Sequence, residues 1–140
     1  MNKNYKILTS FIKKISSEIS NVESFLHLKD NIPKYSLNID IMTLPLKNNM
    51  AEVDIKLMFN SKENEKNKAY FEMIHATIVR VENITNDKNE LKKIFLKEVP
   101  TEVYPKIEKT LFEILQSCGY PQIKLEKKIN FGELFEKKLA

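Results

Sequence analysis

Glycine is almost missing from this chain. It occurs twice in 140 residues, as Gly119 and Gly132, and arginine occurs once, as Arg80. There is one cysteine, Cys118, and no tryptophan. Each shortage excludes something. With glycine at only those two positions, no G-x-S-x-G elbow, phosphate-binding loop or G-x-G-x-x-G fingerprint can be written. A single cysteine rules out an internal disulfide and suits the cytosol; Cys118 reads as a small buried residue at a helix end. Sequence-specific readers of nucleic acid lean on arginine, whose fork matches guanine and phosphate, so a chain with one arginine is a poor candidate for that role. No run of about 18 apolar residues exists to span a membrane. The basic N-terminus "MNKNYKILTSFIKKI" lacks the unbroken apolar stretch and small-residue cleavage site of a signal peptide. The expected compartment is therefore the cytosol.

What remains is a globular composition. A hydrophobic fraction of 42% argues against disorder, and the length fits one domain over residues 1–140. The net charge of +4 comes from 23 basic residues scattered among 19 acidic ones, in short pairs such as Lys13-Lys14 and Lys92-Lys93, which is the pattern of a solvated surface. His27 and His75 lie far apart without cysteine or histidine companions at ligand spacing, so no metal site is expected. Carboxylates are dispersed, with no pair in an apolar setting. The residues point to a protein without catalytic residues or cofactor, a non-enzyme.

Strands come first and helices last. "YKILTSFI" at 5–12 is apolar and β-branched enough for a strand, although "SFIKKISSEI" also fits a helical turn or two, and "NVESFLHLKDNIPK" reads as a long loop closed by Pro33. Tyr35, Leu37, Ile39 and Ile41 then alternate with polar residues, the period of a half-buried strand. "TLPLKNNMA" supplies a turn. Val53, Ile55, Leu57 and Phe59 repeat the alternation, and "AYFEMIHATIVRV" follows as a longer strand, apolar on both faces. Short polar connections between these strands predict an antiparallel meander. "NDKNELKKIF" predicts a short helix that runs out before Pro100. The main helix is expected to start at Tyr104-Pro105, with Ile107, Leu111, Ile114, Leu115 and Cys118 forming one stripe at spacings of three and four. Gly119 and Pro121 end it, and Asn130 caps a last helix, "FGELFEKKL".

The ordered set of segments resembles the protein-export chaperone family SecB. That family ends with a proline-led helix, a "GGFP" stop, a short L-x-L segment and "VNFDALF"; here the order is "VYPKIEKTLFEILQSCGYPQIKLEKKINFGELF". "PKYSLNIDI", "AEVDIKLMF" and "YFEMIHATIVRV" resemble its second, third and fourth strands, and the similarity runs from about Tyr5 to Leu139.

The resemblance implies an α+β fold: a four-stranded antiparallel sheet with helices on one face, assembled as a homotetramer that is a dimer of dimers. It implies an ATP-independent cytosolic holdase that keeps secretory preproteins unfolded and passes them to the translocation motor SecA. In such a protein Phe71, Met73 and His75 would face the oligomer interface, and Phe95, Leu96 and Tyr104 would line the client groove. Glu18, Tyr70 and Glu72 would contact the motor's small basic tail. The chain departs from the family where Lys14 stands in place of an aspartate and Ala76-Thr77 in place of a glycine pair. Two other functions are compatible with the letters: a related chaperone specialised for an antitoxin, and a lysine-rich nucleic-acid-binding domain.

Overall fold

A computed structural model describes residues 4–19, 21–30, 35–61, 69–82 and 88–119. Strands β1 (Tyr5–Ile19), β2 (Tyr35–Pro45), β3 (Met50–Ser61) and β4 (Ala69–Val81) form one antiparallel sheet in the order β1-β4-β3-β2. Helix α1 (Val22–Asp30) lies between β1 and β2. After β4 come α2 (Lys88–Lys93), a π-helical turn (Ile94–Glu98) and α3 (Val99–Ser117). The protein is thus α+β, with the β2–β3–β4 meander read from the alternation and β1 added beside β4.

One face of the sheet makes the core. Val53, Ile55, Leu57 and Phe59 of β3 stand beside Phe71, Met73 and Val79 of β4, and all are buried. Ile107, Leu111 and Leu115, the stripe of α3, pack into the same cluster with Ile94 and Val99. A two-residue turn sets the β2–β3 register. Asn48 and Asn49 both have positive φ (62° and 61°), and the Met50 N–H bonds back to the Lys47 carbonyl at 3.3 Å. Two left-handed residues in sequence match the twist of the strands they join, and asparagine tolerates that conformation.

Three expectations are corrected. β1 does not end near residue 12 but pairs with β4 as far as Ile19↔Ala69. The ladder shifts at Ile7/Thr9 and again at Ile12/Lys14, leaving Leu8 and Lys13 as extra residues. Each bulge flips the inside–outside alternation, which is why the period broke in the sequence.

The stretch expected as a long loop contains α1. Its cap is Asn21, whose Oδ1 accepts 2.8 Å hydrogen bonds from both the N–H and the hydroxyl of Ser24.

The helical run is continuous from Lys88 to Ser117, starting α3 at Val99 rather than Tyr104. The wider turn absorbs Pro100: the Val99 N–H bonds the Ile94 carbonyl five residues back, and Pro100 then falls in the first turn of α3, where a missing N–H costs little. The far end is as read. Gly119 has φ +87° and donates to the Gln116 carbonyl at 3.0 Å. The last helix, with Pro121, Asn130 and Gly132, lies outside the described residues. No described helix is long and apolar enough to cross a membrane.

Candidate functional site

An apolar pocket of about 240 Å³ opens where the β2–β3 hairpin meets the helical run. Thr43, Pro45, Asn49, Met50, Ala51 and Val81 form its sheet side, and Leu91 and Phe95 its helical wall. The hairpin end is pinned by the Leu46 N–H to the Met50 carbonyl and the Val81 N–H to the Asn49 carbonyl, both 2.9 Å. Phe95, in the π-helical turn, lines the pocket facing this hydrogen-bonded hairpin end. Of the three expected groove residues only Phe95 lines this pocket. Leu96 is half-buried against the core, and Tyr104 is buried in it, its hydroxyl pushed up in pKa by burial and then by Glu108. Leu91, Met50 and Pro45 were missed. The sequence offered only a turn and a short helix there, with nothing to say that the two would meet. Met42 and Leu44 of the edge strand β2, and Leu46 just beyond its end, are exposed.

The sheet face away from α3 carries the remaining predicted contacts. Glu72, Tyr70 and Glu18 share this open face, with Glu18 opposite Tyr70 in the ladder and Ser16 opposite Glu72. The Ser16 and Tyr70 hydroxyls lie 3.3 Å apart. Glu72 is not a free acid. Lys14 and Lys56 each stand opposite Ile74, from β1 and β3, and both ammonium groups lie 3.5 Å from Glu72 Oε1. One bulge further, Lys13 arches over β4 to β3, reaching Glu52 at 2.7 Å and Asp54 at 3.1 Å. The small Ala76, opposite Asp54, leaves room for that crossing. Burial, then the neighbouring Glu52, pushes the Asp54 carboxyl up, whereas Glu52 is held down by its contacts with Asp54 and Lys13. Two carboxylates at i and i+2 of a strand share a face, a relation present in the sequence although neither residue stands in an apolar run.

On the core face Phe71, Met73 and His75 are buried within this single protomer. The neighbouring apolar surface left uncovered belongs to β1: Ile12, paired with His75, is 41% exposed, and Ile15, paired with Met73, is 47% exposed. Among the described residues, no group of three or more His, Cys, Asp or Glu side chains converges as a metal site would require.

Comparison with known proteins agrees with this architecture. The family model described as "Preprotein translocase subunit SecB" matches residues 1–140. The chain is 41% identical over 138 residues to the putative protein-export protein SecB of Pelagibacter ubique, covering 99% of both chains. It is 21% identical to the protein-export protein SecB of Bartonella bacilliformis, over 97% of this chain and 84% of that one. Among solved structures it resembles a SecB-like chaperone of Mycobacterium tuberculosis in complex with a ChAD peptide from the HigA1 antitoxin. The TM-score is 0.67 and the identity 11%, over 91% of this chain and 92% of that one, a likeness of fold. The class is that of protein-export chaperones. Within it, the chain belongs to the SecB family.

Proposed function

We propose that this protein is an ATP-independent cytosolic holdase that keeps secretory preproteins unfolded and delivers them to SecA. The observation that carries the reading is the apolar pocket beside the edge strand β2. A cavity of roughly 150 Å³ takes benzene, so about 240 Å³ has room for a client leucine or phenylalanine side chain. An edge strand offers unpaired backbone groups alongside, and unfolded clients need both apolar burial and strand-like pairing. Each buried side chain contributes roughly 1.5–3 kcal/mol, weak alone. Several such pockets on one assembly act together through effective concentration, which gives tight holding with little sequence preference.

The uncovered strip of β1 supports assembly. Ile12 and Ile15 lie on the core face beyond the cover of this protomer's own helix, next to Met73 and His75. A homotetramer built as a dimer of dimers would cover them. SecA would dock on the open face around Glu18, Tyr70 and Glu72. The export role is preferred to an antitoxin-specific one because the curated relatives named above are export proteins.

The experiment pairs sedimentation with refolding. A tetramer that arrests refolding of a denatured secretory precursor without nucleotide, and that captures SecA from lysate, is the expected result. A monomer without effect on refolding would refute the reading.

A further inference from the structure

The two walls of the apolar pocket are held unequally. The sheet side is laced by hairpin hydrogen bonds, whereas the helical wall starts in α2, a helix without a buried residue. The helical run is first anchored in the core at Ile94, three residues beyond Leu91. Two side chains at the start of β1 reach this wall on either side of the pocket. The Asn4 side-chain amide donates to Glu90 Oε1 at 3.3 Å, next to Leu91. The Tyr5 hydroxyl lies 3.5 Å from the carbonyl oxygen of Glu98, the last residue of the π-helical turn, and donates to Glu102 in the first turn of α3. The geometry points to Asn4 and Tyr5 as positioning residues of the pocket: by tying its helical wall to β1 they keep it wide enough for an aromatic client side chain.

The inference rests on reading the pocket as the client site. The direction of the ties decides what they do. β4 lies between β1 and the hairpin, and Val81 marks the boundary. It pairs with Tyr5 on one side and donates to the Asn49 carbonyl on the other. The Glu82 N–H, bonded to the Asn4 carbonyl at 2.9 Å, fixes Asn4 to the same side as Tyr5. Both residues therefore stand across β4 from Pro45 and Met50, and bonds to them draw Leu91 and Phe95 away from the hairpin.

Without the ties, the apolar wall would move toward the apolar floor, because closing the pocket removes apolar surface from water. The π-helical turn keeps such a shift local. It interrupts the regular ladder between α2 and α3, while Ile94 and Val99 on either side of Phe95 stay in the core. A narrowed pocket excludes phenylalanine before it excludes a smaller side chain. Asn4 and Tyr5 thus set which client residues fit, without touching the client.

The test uses the full chain and two fluorescent peptides that differ at one guest position, phenylalanine or valine. By anisotropy the native chain should bind the phenylalanine peptide at least about threefold more tightly, since phenylalanine buries more apolar area. Asn4→Ala with Tyr5→Phe should bring that ratio to about one or below, chiefly by weakening the phenylalanine peptide. Glu90→Gln with Glu102→Gln leaves an acceptor oxygen for each donor and should keep most of the native preference. If the first pair fails to fold, Asn4→Ala alone, at an exposed hydrogen bond, should still lower the ratio measurably. An unchanged ratio in the Asn4 and Tyr5 variants, an equal loss for both peptides, or a glutamine pair that behaves like the first pair would each overturn the inference. Failure of the native chain to bind either peptide would overturn the client site itself, and the inference with it.

Discussion

The Tyr5 hydroxyl donates a 2.6 Å hydrogen bond to Oε2 of Glu102, joining residues 97 positions apart. It fastens the first turn of α3 to the start of β1 and so holds the helix over the core. Burial, then Glu102, pushes the phenol of Tyr5 well above the ordinary tyrosine range. A hydrogen bond to a charged acceptor stabilises by roughly 1.5–3 kcal/mol, less when partly exposed, so Tyr5→Phe should cost about 1–2 kcal/mol. Urea denaturation measures it. Glu102→Gln, which keeps a neutral acceptor, should cost less.

Phe95 forms the helical wall of the pocket at the hairpin end. Phe95→Ser removes apolar lining that a client side chain would touch. Affinity for an unfolded precursor should fall about tenfold per site, on the basis of roughly 1.4 kcal/mol per decade. Refolding-arrest titrations read this, with the far-ultraviolet circular dichroism unchanged. A loss of secondary structure in step with holding would mark Phe95 as a core residue only.

Asp54 makes stability depend on pH in an unusual direction. Its folded pKa is raised, so its contribution is present at low pH and is lost as pH rises through that value. Asparagine does not titrate there. The stability of Asp54→Asn relative to the native chain should therefore grow as pH increases from roughly 4 to 7. Denaturation midpoints across that range test it, and a constant difference would mean that Asp54 is not perturbed.

His75 acts with the opposite sign. Its Nδ1 is buried with no hydrogen-bond partner among the described residues, and burial, then Lys106, lowers its pKa. A depressed folded pKa gives stability that is present above the unfolded value and is lost as pH falls. The native chain should lose stability below about pH 6.5. His75→Leu should remove that loss, seen as a smaller drop in melting temperature between neutral and mildly acid buffer.

Legibility followed from whether a residue's role depended on its own strand or helix. The alternation of Val53, Ile55, Leu57 and Phe59 and the stripe Ile107, Leu111 and Leu115 were readable because a sheet face and a helix face impose a fixed period. Gly119 was readable because a helix stop asks for a left-handed residue. The half of β1 beyond Ile12 was not, since the bulge at Lys13 resets the phase that the stretch 5–12 had set. Pro100 misled because the π-helical turn before it removes the usual conflict. The lysine clamps escaped for another reason: Lys13 meets Asp54 across an intervening strand, and no local pattern encodes that distance.

The two bulges in β1 have a consequence for self-assembly. A long, even outer strand would be a template on which any stretched polypeptide could stack, layer after layer, into a fibre. Interruptions after Ile7 and Ile12 divide this margin into short lengths that cannot zip continuously. A chaperone that meets unstructured chains gains from an outer strand that offers them no continuous template.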